Sequence, residues 1–401
     1  MRLTKNSKYL ILFFKNSNHI IDIPSDGNIN IFLKNIYDMI LESYSYLISH
    51  PIKYNVKINK IKFIKPSSNF DSDFFPKQIQ EHIFKHSSFE IIYDFTIFDR
   101  QIRVIFIIYD KEYPTLDKYN QYIKKITMWL YILKFQSPNK CSKILTIYLY
   151  LTDFQKQLPT EKTDILGSLH VNSAFTTSCS ENAKIIIYRK EEWFKVFIHE
   201  SFHSFGLDFS GMNNNKITKY INNIFRVKSK VNLYESYTEC WAEIINLSFC
   251  SFCVLEDKNY LENFISNFNT LISYEISYSL FQLVKTLNYQ NMNYNDLLFS
   301  IDKMKLYSEN SNILAYYIIK TILIVHYQQF LLWCNQNNKK LFQFNKTVNT
   351  LNEFCQFVKN NHNSDKFKLA IQNMENTFNK IINSNNDYLL SNMRMTICEM
   401  H

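Results

Sequence analysis

Glycine and proline are scarce in this chain, 4 and 7 of its 401 residues. The deficit mirrors an excess of Ile, Asn, Lys, Phe and Tyr, a bias that codon pressure in an AT-rich genome produces, as in some large DNA viruses and protists. A viral source is the expectation. Residues 1–14 hold an apolar run only over 9–14, with no small-residue cleavage site after it, so they are not read as a secretory signal. The most hydrophobic stretch, 313–333, is interrupted by Lys320, His326, Gln328 and Gln329. It fits a buried helix and no membrane span is expected. The formal charge of +9 comes without a basic block or a nucleic-acid motif, and the same codons favour lysine. No nucleic-acid partner is expected. Of 8 cysteines only Cys250 and Cys253 have C-x-x-C spacing. Without a second pair they read as buried thiols on a helix, and a reducing, cytoplasmic compartment is expected.

What is present is concentrated near the middle. Residues 196–206 contain H-E-x-x-H, formed by His199, Glu200 and His203, in a run that reads as an amphipathic helix. Side chains at i and i+4 stack on one helix face, so both imidazoles can point at a common atom. Glu200 lies about 100° further round, within reach of a water on that atom. The β-branched run 183–189 precedes the motif as a strand, Glu191 and Glu192 favour the positive end of the helix dipole, and Gly206 supplies a stop.

Downstream, Glu235, Glu239 and Glu243 repeat every four residues beside Trp241, Ala242, Ile244 and Ile245. On a helix they form one acidic stripe. Facing solvent it would be a repulsive ladder, whereas facing a dication it is favourable. The neighbouring apolar residues argue that most of this helix is buried.

Together these residues resemble the gluzincins, the thermolysin-like clan of zinc metallopeptidases. The resemblance covers residues 170–245. It implies one zinc per chain held by His199, His203 and Glu239, with Glu200 as general base and Glu243 supporting a histidine from behind. Two alternatives stay open for the third ligand. The register can shift to Glu235 paired with Glu239, or Asp208 can serve, because Gly206 sits where the metzincin motif has its glycine while Phe209, at the ligand position of that motif, cannot bind zinc. The resemblance also implies an edge strand presenting main-chain groups to a peptide or protein substrate, with Asn172 and Ala174 beside it. His170, in the same segment, is read as satisfied within the fold. An oxyanion donor is expected among Tyr234, Tyr237, Tyr316, Tyr317 and His326. The function implied is peptide-bond hydrolysis by a zinc-activated water; the alternative is an inactive zincin-fold structural or interaction protein.

The fold class expected is α+β, with a zincin-like core. Residues 1–112 read as an accessory α+β region, with strands over 8–14, 19–23 and 53–64, a helix over 30–48, and a hairpin over 89–98 and 101–109. Residues 113–210 read as the zincin upper part, with a helix over 116–135, a strand over 143–151, an extended segment near Val171, a strand near Ile186 and the motif helix. Residues 211–401 read as a helical part carrying the third ligand, with polar breaks near 212–214, 337–340 and 360–365.

Overall fold

The structure, a computed structural model, describes residues 3–16, 27–64, 68–213, 215–383 and 386–400. The chain opens with α1 (Lys5–Asn16) and α2 (Gly27–Ser49), followed by β1 (Asn55–Lys60), α3 (Lys77–His86) and the hairpin β2 (Phe89–Ile97) and β3 (Arg100–Ile108). Then come α4 (Asp117–Gln136), β4 (Ile144–Thr152), the single turn α5 (Ser168–Val171), β5 (Ala174–Thr176), β6 (Asn182–Arg189) and α6 (Trp193–Ser204). The rest is helical: α7 (Asn215–Phe225), α8 (Leu233–Cys253), α9 (Leu261–Tyr289), α10 (Tyr294–Phe299), α11 (Lys320–Val325), α12 (Tyr327–Asn337), α13 (Val348–Asn361), α14 (Asp365–Ile381) and α15 (Asp387–Ser391). The α+β class expected from the sequence is the class observed.

One six-stranded mixed sheet, in the order β1-β2-β3-β4-β6-β5, positions everything else. β2 alternates buried and part-buried residues because its pleat sends every second side chain into the core. β3, β4 and β6 run parallel, while β5 returns antiparallel on β6 and forms the sheet edge. The boundary expected at 112/113 is therefore corrected: β3 pairs with β4 across it, from Gln101↔Ile144 to Phe106↔Leu149. A sheet cannot be cut between paired strands without exposing a row of backbone groups. The main hydrophobic core likewise gathers residues from Leu10 to Met400.

Three local expectations are revised. Residues 8–14 are helical, because Ser7, Leu10 and Phe14 bury one face at i, i+3 and i+7; a short apolar run reads equally as strand or helix. The expected strand 19–23 lies outside the described residues. The segment near Val171 is one helical turn before it extends into β5. The long apolar stretch begins as a π-helix, Leu314–Ile319, continues as α11 and breaks at His326 before α12, buried along most of its length. No helix among the described residues is long and apolar enough to cross a membrane.

Candidate metal centre

The motif helix α6 is buried at all of its positions, so the helix expected to be amphipathic is a central one with no solvent face. β6 delivers it from the sheet, and Glu192, at φ 58° just before its first residue, makes the sharp entry. Glu191 and Glu192 do not decorate its first turn as expected. Glu192 turns inward to Lys156, and its Oε1 accepts the N–H groups of Met395 (2.9 Å) and Thr396 (2.6 Å). Glu191 accepts the N–H of Lys156 at 2.9 Å. Both acids serve the fold through buried pairing.

α8 packs along α6 in the opposite direction, and this sets which glutamate meets which partner. Glu239 Oε2 lies 2.7 Å from Nδ1 of His199, and its Oε1 takes Lys195 Nζ at 2.5 Å. Glu235, one turn earlier on α8, places Oε2 3.1 Å from Nε2 of His199 and 3.4 Å from Nε2 of His203. The two Nε2 atoms are 3.2 Å apart. The expected placement of Glu239 at the centre is thus corrected: Glu235, the alternative register, occupies that position. Glu239 is held behind His199 by the buried ammonium of Lys195, which neutralises it there. Glu243 is corrected too. It lies one turn further on, paired with Lys320 at 2.7 Å, and supports no histidine.

His203 Nδ1 meets Asp208 Oδ2 at 2.6 Å, and Asp208 is fully buried, its Oδ1 accepting from Ser210 Oγ at 2.9 Å. Asp208 therefore sits on the far side of the ring from the centre. A carboxylate only accepts, so each Nδ1 carries a proton and each Nε2 is the nitrogen turned to the centre. Burial opposes charge on these groups, yet the hydrogen bonds His199 donates to Glu235 and Glu239 raise its pKa, and the charges of Glu235 and Asp208 hold His203 well above the ordinary value. Against the same desolvation, the histidines lower Glu235 to about 2. At Glu200 burial outweighs the pull of the two histidines and Lys195 and raises the carboxyl pKa, the direction a general base requires.

His199, His203 and Glu235 are the group of described residues whose donor atoms converge closely enough to hold one metal ion. Their fit can be tested on distance. Ligands about 2.0–2.1 Å from a tetrahedral zinc stand roughly 3.3–3.4 Å from one another. The observed separations of 3.1, 3.2 and 3.4 Å are three edges of such a tetrahedron. Two imidazoles and a carboxylate are also the donor set of a catalytic zinc, which keeps a fourth position open. Metal must displace the protons these bases hold, so zinc occupancy is expected to fall as pH drops through the raised histidine values, with proton release on loading; a pH series of bound zinc measures both. Asp208→Ala is expected to weaken zinc binding about 10–100-fold by freeing the His203 ring, and Asp208→Asn, which still accepts, to weaken it less. Equal zinc affinities across the three proteins would refute that role.

A cleft of about 170 Å³ opens on this centre. Its lining includes Asn172, Ala174, Glu200, Tyr234 and Tyr316. Both expected segment residues therefore lie at the site, although Asn172 Oδ1 is engaged by Ser311 Oγ at 2.7 Å. His170 accepts the N–H of Gly167 and stays out of the cleft, as read. Of the tyrosines considered as oxyanion donors, Tyr316 and Tyr234 line the cleft: the Tyr316 hydroxyl donates to Glu235 Oε2 at 3.1 Å, and the Tyr234 ring is 5.9 Å from that of His203. Tyr237 and Tyr317 donate to the carbonyls of Phe342 and Met393, and His326 contacts Ile322 O and Ser364. Tyr316 stands on the π-helical turn, a distortion frequent at functional sites.

Sequence reasoning missed the brace under His203. Cys141 and Cys179 form a disulfide, so two of the 8 cysteines are not the free thiols on which the reducing compartment was argued. Cys250 and Cys253 are free, as read. Cys179 N–H donates to the carbonyl of His203 at 3.0 Å, and Ser142 Oγ to that of Ser204 at 2.8 Å. Gly206, at φ 66°, fits over the pair: a Cβ there would stand 3.1 Å from Cys141 Sγ. Reduction, or Cys141→Ser with Cys179→Ser, opens a 38-residue loop and is expected to cost about 4 kcal/mol by chain entropy. Unfolding midpoints with and without a dithiol reductant test this; coincident curves would show that the bond contributes nothing.

No family model matches the chain, and no solved structure matches it. The chain is similar to an uncharacterized protein of Acanthamoeba polyphaga mimivirus, 26% identical over 233 residues, which cover 54% of this chain and 58% of that relative. The matched span is less than two thirds of the viral protein's length.

Proposed function

We propose that this protein is a zinc-dependent metallopeptidase of gluzincin type. The observation that carries the reading is the triangle of His199 Nε2, His203 Nε2 and Glu235 Oε2 at tetrahedral ligand spacing, beside a buried Glu200 and at the floor of a cleft. A structural site has no use for a base next to an open coordination position. A mixed sheet whose edge strand borders the site, a metal helix after it and a helical remainder supplying the carboxylate agree with a zincin-like core. The viral relative agrees with a viral source.

Zinc bound by these three residues would acidify a water and polarise the substrate carbonyl. Glu200, with its pKa raised by burial, would take a proton from the attacking water as its oxygen bonds to the carbonyl carbon, and would pass that proton to the amine as the C–N bond breaks. Tyr316 and Tyr234 can donate to the oxygen that becomes negative; Tyr316 must first release Glu235. Glu239 and Asp208 keep the two imidazoles in one tautomer and one orientation. Among the described residues β5 pairs with β6 alone and so leaves an edge to which an extended peptide can add.

The test is elemental analysis of the purified full chain together with cleavage of unfolded casein. One zinc per chain and cleavage that stops with 1,10-phenanthroline and returns with zinc are expected. Zinc without cleavage would instead favour an inactive structural or interaction protein, and protein without zinc would sink the metal site itself.

A further inference from the structure

A second, smaller cavity of about 30 Å³ adjoins the cleft, sharing Asn172, Ala174, His199, Glu200 and Tyr316 with it. Its remaining walls include Val171 from α5, Val196 from α6 and Met395 from the segment after α15, together with Ser173. Two lysines also reach it, but Lys195 is neutralised by Glu239 and Lys156 by Glu192. Charge is therefore not what the cavity selects. A water-sized probe needs about 10–15 Å³ of such volume, so this space takes a group of one to three heavy atoms. The Ser173 hydroxyl is buried and has no hydrogen-bond partner.

Resting on the peptidase reading, we propose that this chamber receives the side chain of a residue flanking the scissile bond and restricts it to glycine, alanine or serine. Glu200 and His199 belong to both cavities, so a peptide carbonyl placed at the metal has one neighbouring side chain directed at the smaller one. Close packing excludes a longer group unless the wall moves. Val171 and Met395 are then the residues that determine specificity, since they close the chamber without taking part in the chemistry.

The experiment digests a peptide library with the zinc-loaded full chain and reads the residues on both sides of each cut. Gly, Ala and Ser are expected at one flanking position, at least about tenfold over Leu or Phe. Met395→Ala and, independently, Val171→Ala should admit Leu at that position and reduce the preference at least threefold, a change in selectivity that lost stability would not mimic. Cleavage by the wild type with no small-residue preference on either side would overturn this inference and leave the peptidase reading intact. Zinc-loaded protein that cleaves no peptide would overturn both.

Discussion

Glu235→Ala is expected to leave the purified protein almost free of zinc, while Glu239→Ala retains a measurable share. The geometry separates the two carboxylates. Glu235 Oε2 lies 3.1 and 3.4 Å from the two Nε2 atoms, whereas the histidine nitrogen beside Glu239 is Nδ1 of His199. A tight protein zinc site is worth about 10–16 kcal/mol across its ligands, so losing one ligand costs on the order of 10²–10³ in affinity. Losing a group behind a histidine costs about 10–100-fold. Glu239→Ala carries a second penalty that Glu235→Ala does not, because Lys195 would be left as a buried ammonium without its partner, a loss of about 3–5 kcal/mol of stability. Zinc titration and thermal unfolding of both variants therefore give opposite orders: Glu235→Ala is worse for metal and Glu239→Ala worse for the fold. If Glu239→Ala proves the more deficient in zinc while remaining folded, the assignment of ligand and support is reversed.

Glu200→Gln is the second large effect. A positioned general base contributes about 10²–10⁴ to rate, and peptide hydrolysis should fall by that factor with bound zinc unchanged, since Glu200 is not in the donor triangle. The sign of the stability change is opposite. Burial raises the folded-state pKa of Glu200 above its ordinary 4.5, so ionisation disfavours the folded state once the pH exceeds the unfolded value. Glutamine removes that cost, and Glu200→Gln should unfold at a higher temperature than wild type at neutral pH. A variant both less active and more stable marks a carboxylate kept for chemistry. Unchanged hydrolysis would remove Glu200 from the mechanism.

Most of this site was legible as residue types and spacing. H-E-x-x-H placed two imidazoles and a carboxylate, and the Glu repeat placed three acids on one helix face. Which acid joins the two histidines was not legible from α8 alone, because its three glutamates are equivalent by periodicity. The deciding residue lies on the other helix. Lys195 is one turn before His199 on α6, and because α6 and α8 run in opposite directions, Lys195 faces Glu239 while His203 faces Glu235. A lysine on the metal helix marks the glutamate already neutralised. The α+β class and the hairpin followed from alternation, but the accessory region did not survive, since pairing of β3 with β4 depends on contacts that no local pattern encodes. The disulfide was hidden for the same reason: Cys141 and Cys179 lie on separate connections that only the parallel strands β4 and β6 bring together.

The entry to the metal helix has a bearing on when the protein can work. Glu192 fixes the start of α6 by accepting the N–H groups of Met395 and Thr396, more than 200 positions later in the chain. At about 5–20 residues per second, a ribosome needs roughly 10–40 s to travel that distance. For that interval the histidines exist and Glu192 can already pair with Lys156, but the two N–H groups that fix its other oxygen have not been made. Glu235, too, is made after them. The site is therefore finished only once residues 395 and 396 have been made and have docked, and on the peptidase reading proposed above a nascent chain is spared a hydrolase in its own midst.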